Sequence, residues 1–422
     1  MHSNANALVA QSGGPTAVIN ASACGVVQTA MNSGKIDKVF GATNGILGVL
    51  REDIFDITSE KTEVIDALKR TPAAAIGSCR YKLKSLDTSR ADYQRIIDVF
   101  QAHNIRYFFY AGGNDSMDTA DKVNKLAADS GYELVCMGVP KTIDNDLAFT
   151  DHCPGFGSVA KYVATCALEA GRDTEALYTT DTCTILEVMG RNAGWIAAAA
   201  GLASRSPQDA PHLIYLPEVP FTLEKLVADV KEVLANFKRV FIVAGEGLRD
   251  ENGNYLTADS GAFAKDSFGH QQLGGVAEIL KAVIEKEVGI KARFNKLGTN
   301  QRCAMHCASL TDVNEAYLCG QKAVEHALTG TNGKMVTLIR QPGNEYQCTT
   351  GMADLSDVAN GEKKVPVEYI NEQGNHITPA LRDYVRPLIR GQAPVTVDHD
   401  GLPVFMRFDR KHLGKKLPEY CS

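Results

Sequence analysis

Short apolar segments alternate along this chain with longer stretches in which apolar residues recur at helical spacing. Residues 6–10, 106–110 and 183–188 are short apolar segments, whereas residues 91–103 and 223–237 carry the helical pattern. Strands that alternate with helices in this way are typical of an α/β fold with mainly parallel sheets. Because 422 residues exceed what one hydrophobic core usually covers, we expect two domains.

The same patterns predict the bounds of the individual elements. Strands are predicted at residues 6–10, 73–76, 106–110, 134–139, 183–188, 213–216, 240–244 and 335–339. Helices are predicted at residues 16–31, 91–103, 117–129, 159–171, 193–203, 223–237, 275–287 and 314–328. Residues 341–374 are rich in Gly, Asn, Asp and Glu and lack clear periodicity, so we expect them to be irregular or peripheral.

Charge and cysteine usage narrow the class of protein. A formal net charge of −6 supplies no field that attracts polyanions, so we expect no nucleic-acid partner. No apolar run approaches the ~18 residues of a membrane span, and the first residues lack the basic and apolar regions of a signal peptide. The 11 cysteines contain no CxxC pair, which favours a reduced set in a cytoplasmic protein.

Three polar loops follow predicted strands, where ligands of open parallel sheets bind. Residues 12–14 (SGG) and 112–116 (GGNDS) contain glycine pairs that let backbone N–H groups approach an anion, although such pairs also occur in plain tight turns. Residues 141–146 (KTIDND) place two carboxylates on either side of an amide. That arrangement suits metal binding or proton abstraction, and a polar turn that caps the next helix is the alternative.

Seven motifs in a fixed order carry a resemblance. The series SGG, GSCR, GGNDS, PKTIDND, EVMGR, GEG and LGTNQR resembles the phosphofructokinase family over about residues 6–340. The resemblance implies two similar Rossmann-like domains that face each other across an active-site cleft, dependence on Mg²⁺, and a homodimer or homotetramer whose neighbouring subunit completes the sugar-phosphate site. It implies a donor domain of residues 1–155 plus about 303–365, and a sugar-phosphate domain of residues 156–302 plus about 366–422.

The resemblance also implies roles for residues that match the family's motifs. Asp144 would be the base that accepts the proton of the C1 hydroxyl of fructose 6-phosphate, and Thr142 would contact the transferring group or the sugar. Arg80 would bridge the donor and the transferred phosphoryl group. The donor-binding glycines would be Gly13, Gly14 and Gly113.

On the sugar side, the resemblance assigns a turn, an acid and two arginines. The turn comprises Met189, Gly190 and Arg191. Glu246 would accept hydrogen bonds from the hydroxyl groups of the sugar. Arg293 and Arg302 would hold the 6-phosphate, one of them across a subunit interface. The remaining implied substrate contacts come from the loop that carries the base, at Thr142, Ile143 and Asp144.

Two positions indicate the phosphoryl donor. Relatives that use ATP carry glycine where this chain has Asp115 and Lys141, so the resemblance is to the pyrophosphate-dependent branch. At ~4 Å and an effective dielectric of about 20, repulsion between Asp115 and an ATP α-phosphate is on the order of 4 kcal/mol before screening. Lys141 would bind the pyrophosphate and assist its cleavage. The alternative is an ion pair between the two side chains with no role in donor choice.

One family position departs from the usual pattern. Asn114 stands where an aspartate near Mg²⁺ is usual, and an amide oxygen is a neutral, weaker ligand. We therefore expect Asn114 and Asp115 to form the metal site, directly or through water. The favoured hypothesis is reversible phosphoryl transfer from pyrophosphate to fructose 6-phosphate. The alternatives are an ATP-dependent kinase of the same sugar phosphate and an inactive, sugar-phosphate-binding regulatory subunit.

Overall fold

The computed structural model describes residues 5–84, 88–258 and 274–420. Its strands are β1 Ala5–Gln11, β2 Ile36–Ala42, β3 Ile54–Asp56, β4 Ile105–Gly112, β5 Val135–Pro140, β6 Cys183–Val188, β7 Leu213–Tyr215, β8 Val240–Gly245, β9 Ala292–Lys296, β10 Lys334–Arg340 and β11 Cys348–Asp354. Its helices are α1 Ile19–Asn32, α2 Ile46–Leu50, α3 Thr62–Ala67, α4 Arg90–Ala102, α5 Asn114–Asp129, α6 Phe156–Leu177, α7 Trp195–Ala199, α8 Leu223–Phe237, α9 Val276–Glu287, α10 Asn300–Cys303, α11 Leu310–Leu328, α12 Leu355–Asn360 and α13 Pro379–Val385.

The strands form two sheets. A seven-stranded sheet has the order β11-β10-β5-β4-β1-β2-β3, and its inner pairings are parallel while β3 and β11 run antiparallel at the edges. A four-stranded sheet has the order β7-β8-β6-β9 and is parallel throughout. The expected α/β class with mainly parallel sheets is therefore confirmed. No helix of the described residues is long and apolar enough to cross a membrane.

Local sequence explains why the clearest helix has the predicted bounds. The hydroxyl of Thr222 accepts a hydrogen bond from the Lys225 N–H at 3.2 Å and caps the start of α8. The buried residues Leu226 and Val230 lie one turn apart on the face that packs into the core of the four-stranded sheet. The helix ends at Lys238, which adopts a left-handed conformation with φ of 61°.

The prediction of a strand at residues 73–76 is wrong. Ala73 has φ of +66°, which is incompatible with an extended strand. The N–H of Ala75 donates to Asn20 Oδ1 at 2.8 Å, and the N–H of Ile76 donates to Gln11 Oε1 at 3.1 Å. Side chains from β1 and α1 thus supply the partners that a neighbouring strand would otherwise provide.

The prediction that residues 341–374 are irregular or peripheral is also wrong in part. β11 pairs with β10 along its whole length, from Lys334–Asp354 to Arg340–Cys348, and α12 packs against α5. β11 is an edge strand whose side chains are mostly exposed or only partly buried. Its sequence therefore lacks the apolar run that is typical of a central strand. The end of the chain returns to the seven-stranded sheet, since Leu413, Leu417 and Tyr420 pack against its core.

Candidate active site

The first glycine loop lies against two cations. Gly13 has φ of +77°, and a Cβ there would stand 3.1 Å from the Lys141 Nζ. A Cβ on Gly14 would stand 3.4 Å from the Arg302 Nε. The Lys141 ammonium donates a hydrogen bond of 2.8 Å to the Gly14 carbonyl. Glycine is therefore required at position 13 by its backbone conformation, and side chains here would crowd both cations.

The segment that carries Arg80 is held against the same loop. The Gly13 N–H donates to the Cys79 carbonyl at 3.0 Å, and the Ser78 hydroxyl donates to the Gly13 carbonyl at 2.5 Å. Arg80 follows directly and lines the cleft. Two distant parts of the chain are thereby fixed side by side at one end of the cleft.

The third polar loop begins where β5 ends. The backbone of its first two residues is hydrogen-bonded to two other segments. The Lys141 N–H donates to the Gly112 carbonyl at 3.1 Å, and the Thr142 N–H donates to the Pro154 carbonyl at 3.2 Å. The Thr142 hydroxyl then accepts a hydrogen bond from the Asp144 N–H at 3.1 Å. Asn145 adopts φ of +56°, a left-handed conformation that asparagine tolerates. This turn sets the position of Asp144.

These loops and the four-stranded sheet enclose one polar cleft of about 330 Å³. Most of the residues predicted to act in the site line it: Gly13, Gly14, Arg80, Gly113, Asn114, Asp115, Lys141, Thr142, Ile143, Asp144, Met189, Arg191, Glu246 and Arg302. The sugar-side turn is joined to the last motif, since the Met189 N–H donates to Gln301 Oε1 at 3.1 Å. The structure thus brings residues from the beginning, middle and end of the motif series together.

Two predicted site residues are not among those that line the cleft. Gly190 has φ of +127°, and a Cβ there would lie 2.6 Å from the Ala193 carbonyl oxygen, so this glycine shapes the turn. Arg293 pairs with Asp181 at 2.6 Å, and its side chain is 58% exposed. The expected contact of Arg293 with a 6-phosphate across a subunit interface stays a prediction.

Burial and charge act in opposite directions on the two principal ionisable groups. Removal from water raises the pKa of Asp144, and the nearby cations Arg302 and Lys141 oppose that rise. Burial lowers the pKa of Lys141 to about 8, although Asp144 partly restores it. A buried carboxyl group with a raised pKa and cations beside it suits proton abstraction.

Two further carboxyl groups in the cleft are shifted by burial. Burial raises the pKa of Glu246 to about 7, and the charge of Asp144 adds to the rise. Burial likewise raises the pKa of Asp146 to about 7, again with a contribution from Asp144. Asp144 therefore repels both Glu246 and Asp146 when ionised, and a bound cation would relieve that repulsion.

Asn114 offers an oxygen suited to such a cation. Its Oδ1 atom is buried and has no hydrogen-bond partner among the described residues, while its Nδ2 lies 3.5 Å from Asp146 Oδ2. A buried oxygen without a partner is costly unless a ligand satisfies it. Asn114 and Asp115 begin α5 and both line the cleft. This donor set of amide and carboxylate oxygens fits Mg²⁺.

Asp115 has a different partner from the one considered in the sequence. It pairs with Lys82 at 3.1 Å, while Lys141 is bonded to the Gly14 carbonyl. Asp115 and Lys141 form no ion pair within the described part of the chain, so that alternative is wrong. Lys82 was missed because nothing in its local sequence distinguishes it from a solvated surface lysine. Its position two residues after Arg80 was the only available signal.

Known proteins resemble this chain over nearly its full length. Residues 6–327 match the family described as Phosphofructokinase. A pyrophosphate–fructose 6-phosphate 1-phosphotransferase from Halomonas elongata is 49% identical over 417 residues, which cover 98% of this chain and 99% of that protein. The protein of the same name from Xanthomonas campestris pv. campestris is 48% identical over 99% of both chains.

A solved structure gives the same result for the fold. The crystal structure of a pyrophosphate-dependent phosphofructokinase from Marinobacter aquaeolei matches with a TM-score of 0.90 and 45% identity, over 99% of this chain and 100% of that one. Together with the ordered motifs that meet in the cleft, these matches show that the chain belongs to the phosphofructokinase family.

Proposed function

We propose that this chain catalyses reversible phosphoryl transfer from pyrophosphate to the C1 hydroxyl of fructose 6-phosphate, which yields fructose 1,6-bisphosphate and phosphate. The relatives from Halomonas elongata and Xanthomonas campestris carry the name of this activity. The observation that carries the proposal is the buried ammonium of Lys141, which lies beside the first glycine loop at one end of the cleft.

The cleft residues supply the three requirements of phosphoryl transfer: an activated nucleophile, charge neutralisation and in-line positioning. The Asp144 carboxylate accepts the proton of the C1 hydroxyl as its oxygen attacks the terminal phosphorus of pyrophosphate. The bond from that phosphorus to the bridging oxygen breaks, and phosphate leaves with the electron pair. Arg80 and Lys141 neutralise the charge that develops on the transferred and leaving groups.

Asn114 and Asp115 would hold Mg²⁺ in this reaction. When bound, the ion neutralises charge on the phosphoryl oxygens. The unpartnered Oδ1 of Asn114 supports this assignment. Thr142 stabilises the turn that presents the base, because its hydroxyl accepts from the Asp144 N–H.

The choice of donor rests on charge and space at Asp115. Its side chain stands at the start of α5, lines the cleft and is 28% exposed. A nucleotide that continued past its second phosphate would meet this carboxylate, whose charge Lys82 offsets in part, and the Lys82 side chain itself. Pyrophosphate would end before that point, so it would avoid both the remaining repulsion and the loss of space.

On the sugar side, Met189, Gly190, Arg191, Glu246 and Arg302 would bind fructose 6-phosphate. The exposed side chain of Arg293 supports its expected reach into the site of a neighbouring subunit. We accordingly propose a homodimer or homotetramer. A cytoplasmic location is supported by the free thiols of the described cysteines.

We also propose a division into two domains, which the presence of two sheets supports. We assign residues 1–155 plus about 303–365 to donor binding, and the seven-stranded sheet, which contains β10 and β11, supports this. Residues 156–302 plus about 366–422 are assigned to the sugar phosphate; the four-stranded sheet and the core contacts of Ile377 and Leu388 support this, whereas Leu413 and Tyr420 pack against the seven-stranded sheet instead.

Parallel assays with Mg-pyrophosphate and Mg-ATP test the proposed function directly. We expect turnover of fructose 6-phosphate with pyrophosphate and kcat/KM for ATP at least about 10-fold lower, because Lys82 offsets part of the repulsion from Asp115 and ~1.4 kcal/mol suffices for that ratio. The reverse reaction should release pyrophosphate from fructose 1,6-bisphosphate and phosphate. Equal turnover with ATP would favour the ATP-dependent kinase. Tight sugar-phosphate binding without turnover under either donor would favour the regulatory subunit.

The pKa of Lys141 predicts how donor use depends on pH. The ammonium is charged below about pH 8 and loses its proton as the pH rises through that value. We expect kcat/KM for pyrophosphate to fall about 10-fold per pH unit above that point. Lys141→Arg should shift the fall to higher pH, because arginine remains charged. An identical fall in both proteins would show that another group is responsible.

A further inference from the structure

The hydroxyl of Tyr384 lies behind the loop that carries Asp144. It donates a hydrogen bond of 2.6 Å to the Asp151 carbonyl and accepts one of 3.0 Å from the Asn145 Nδ2. Asn145 stands directly next to Asp144, and Asp151 lies near the end of the same loop. One hydroxyl group, from a residue that does not line the cleft, therefore joins two points of this loop.

Asn145 transmits that contact to the base. Its side chain is fully buried, and its Oδ1 accepts a hydrogen bond of 2.9 Å from the Cys153 N–H. Its backbone holds the left-handed conformation that turns the chain between Asp144 and Asp146. Such a conformation persists only when surrounding contacts determine it. Within the described part of the chain, the Asn145 side chain makes hydrogen bonds to Tyr384, Cys153 and Lys363.

Lys363 binds the same two points as Tyr384. Its ammonium donates to the Asp151 carbonyl at 2.7 Å and lies 3.4 Å from Asn145 Oδ1. Arg340 fixes the Tyr384 backbone, since its Nη2 donates to the Tyr384 carbonyl at 3.0 Å and also to the Asp151 carboxylate at 3.1 Å. Side chains from the last third of the chain thus converge on one loop.

The ring of Tyr384 has its own support, which is independent of the hydroxyl. Its centroid lies 5.3 Å from that of Trp195 and 5.7 Å from that of Tyr369. Trp195 begins α7, four residues after Arg191 of the sugar-side turn. The indole Nε1 donates to the Lys363 carbonyl at 3.0 Å. The ring would therefore stay in place if the hydroxyl were removed.

We infer that Tyr384 is a positioning residue for the phosphoryl-transfer step: its hydroxyl fixes Asn145 and thereby the Asp144 carboxylate relative to the C1 hydroxyl of the sugar. The inference rests on the proposed function. A catalytic base must be held within about 0.5 Å of its productive position, and errors of about 1 Å cost up to 10²-fold in rate. Tyr384 itself does not line the cleft, so it acts through Asn145.

Tyr384→Phe tests this role, with Tyr369→Phe as a matched control. We expect Tyr384→Phe to lower kcat with pyrophosphate about 10-fold, while KM for either substrate changes less than about twofold and the melting temperature shifts by only a few degrees. Tyr369→Phe removes a hydroxyl from the same aromatic cluster, and that hydroxyl has no hydrogen-bond partner among the described residues. It should leave kcat unchanged.

A double-mutant cycle distinguishes a specific effect on the position of Asp144 from a general loss of packing around Tyr384. If the hydroxyl acts through Asn145, Tyr384→Phe should cost no further kcat in an Asn145→Ala background. Additive losses, or a Tyr384→Phe enzyme with the kcat of the unmodified protein, would overturn the inference while the function stands. If the unmodified protein folds but does not turn over pyrophosphate at all, the proposed function is refuted instead.

Discussion

Asp144→Asn is expected to lower kcat for pyrophosphate-dependent phosphorylation by about 10³-fold, within the 10²–10⁴-fold range typical of a general base. The amide is of the same size but accepts no proton. Because the base acts in the transition state, KM for fructose 6-phosphate and for pyrophosphate should stay within a few-fold. Steady-state kinetics in both directions measure the effect, and both directions should lose equally.

An acid that does not line the cleft provides the control for this substitution. Asp121 pairs with Lys125 on α5, so Asp121→Asn makes the same chemical change away from the cleft. Its kcat should be unchanged. If Asp144→Asn kept more than about a tenth of the activity, proton abstraction would have to be assigned to another group. Glu246 would then be the first candidate, because burial raises its pKa to about 7.

Replacement of both Asp115 and Lys141 by glycine is expected to reverse the choice of donor. Loss of the Lys141 ammonium removes a charge-assisted contact of about 2–3 kcal/mol, so kcat/KM for pyrophosphate should fall by about 10²-fold. Loss of the Asp115 carboxylate removes the repulsion toward a nucleotide, so measurable turnover with ATP should appear. Donor titrations at saturating fructose 6-phosphate measure both effects.

The single variants separate the two contributions. Asp115→Gly alone should admit ATP weakly, and Lys141→Gly alone should mainly weaken pyrophosphate use. Within each protein, KM for fructose 6-phosphate is the internal control and should not change. A double variant that still strongly prefers pyrophosphate would show that the donor is selected elsewhere in the cleft.

Local sequence predicts the site well where one segment both binds and folds. The bounds of α8 follow from the Thr222 cap and its buried stripe, and the loops after β1, β4 and β5 are marked by their glycines and acids. The ordered motifs then identify most of the residues that line the cleft. Site residues that lie together in one contiguous loop can thus be predicted from the sequence.

Contacts between distant segments explain what the sequence did not predict. The backbone N–H groups of Ala75 and Ile76 are hydrogen-bonded to the side chains of Asn20 and Gln11 rather than to a neighbouring strand. The sequence of residues 73–76 does not indicate these partners. Lys82 gains its role only through proximity to Asp115. Tyr384 lies 239 residues beyond the asparagine it contacts. Such contacts depend on tertiary packing, and the periodicity of apolar residues along the sequence does not predict them.

The order of strands has a consequence for the sequence of events during synthesis. All four strands of the smaller sheet lie between residues 183 and 296, so these strands can pair as soon as this stretch has left the ribosome, although the core beneath them also needs Ile377, Leu381 and Leu388. The larger sheet starts earlier but waits for β10 and β11, which end only at Asp354. Until then the outer edge of β5 lacks its neighbour, so the sheet that contains β1 is also the sheet whose strands finish pairing last.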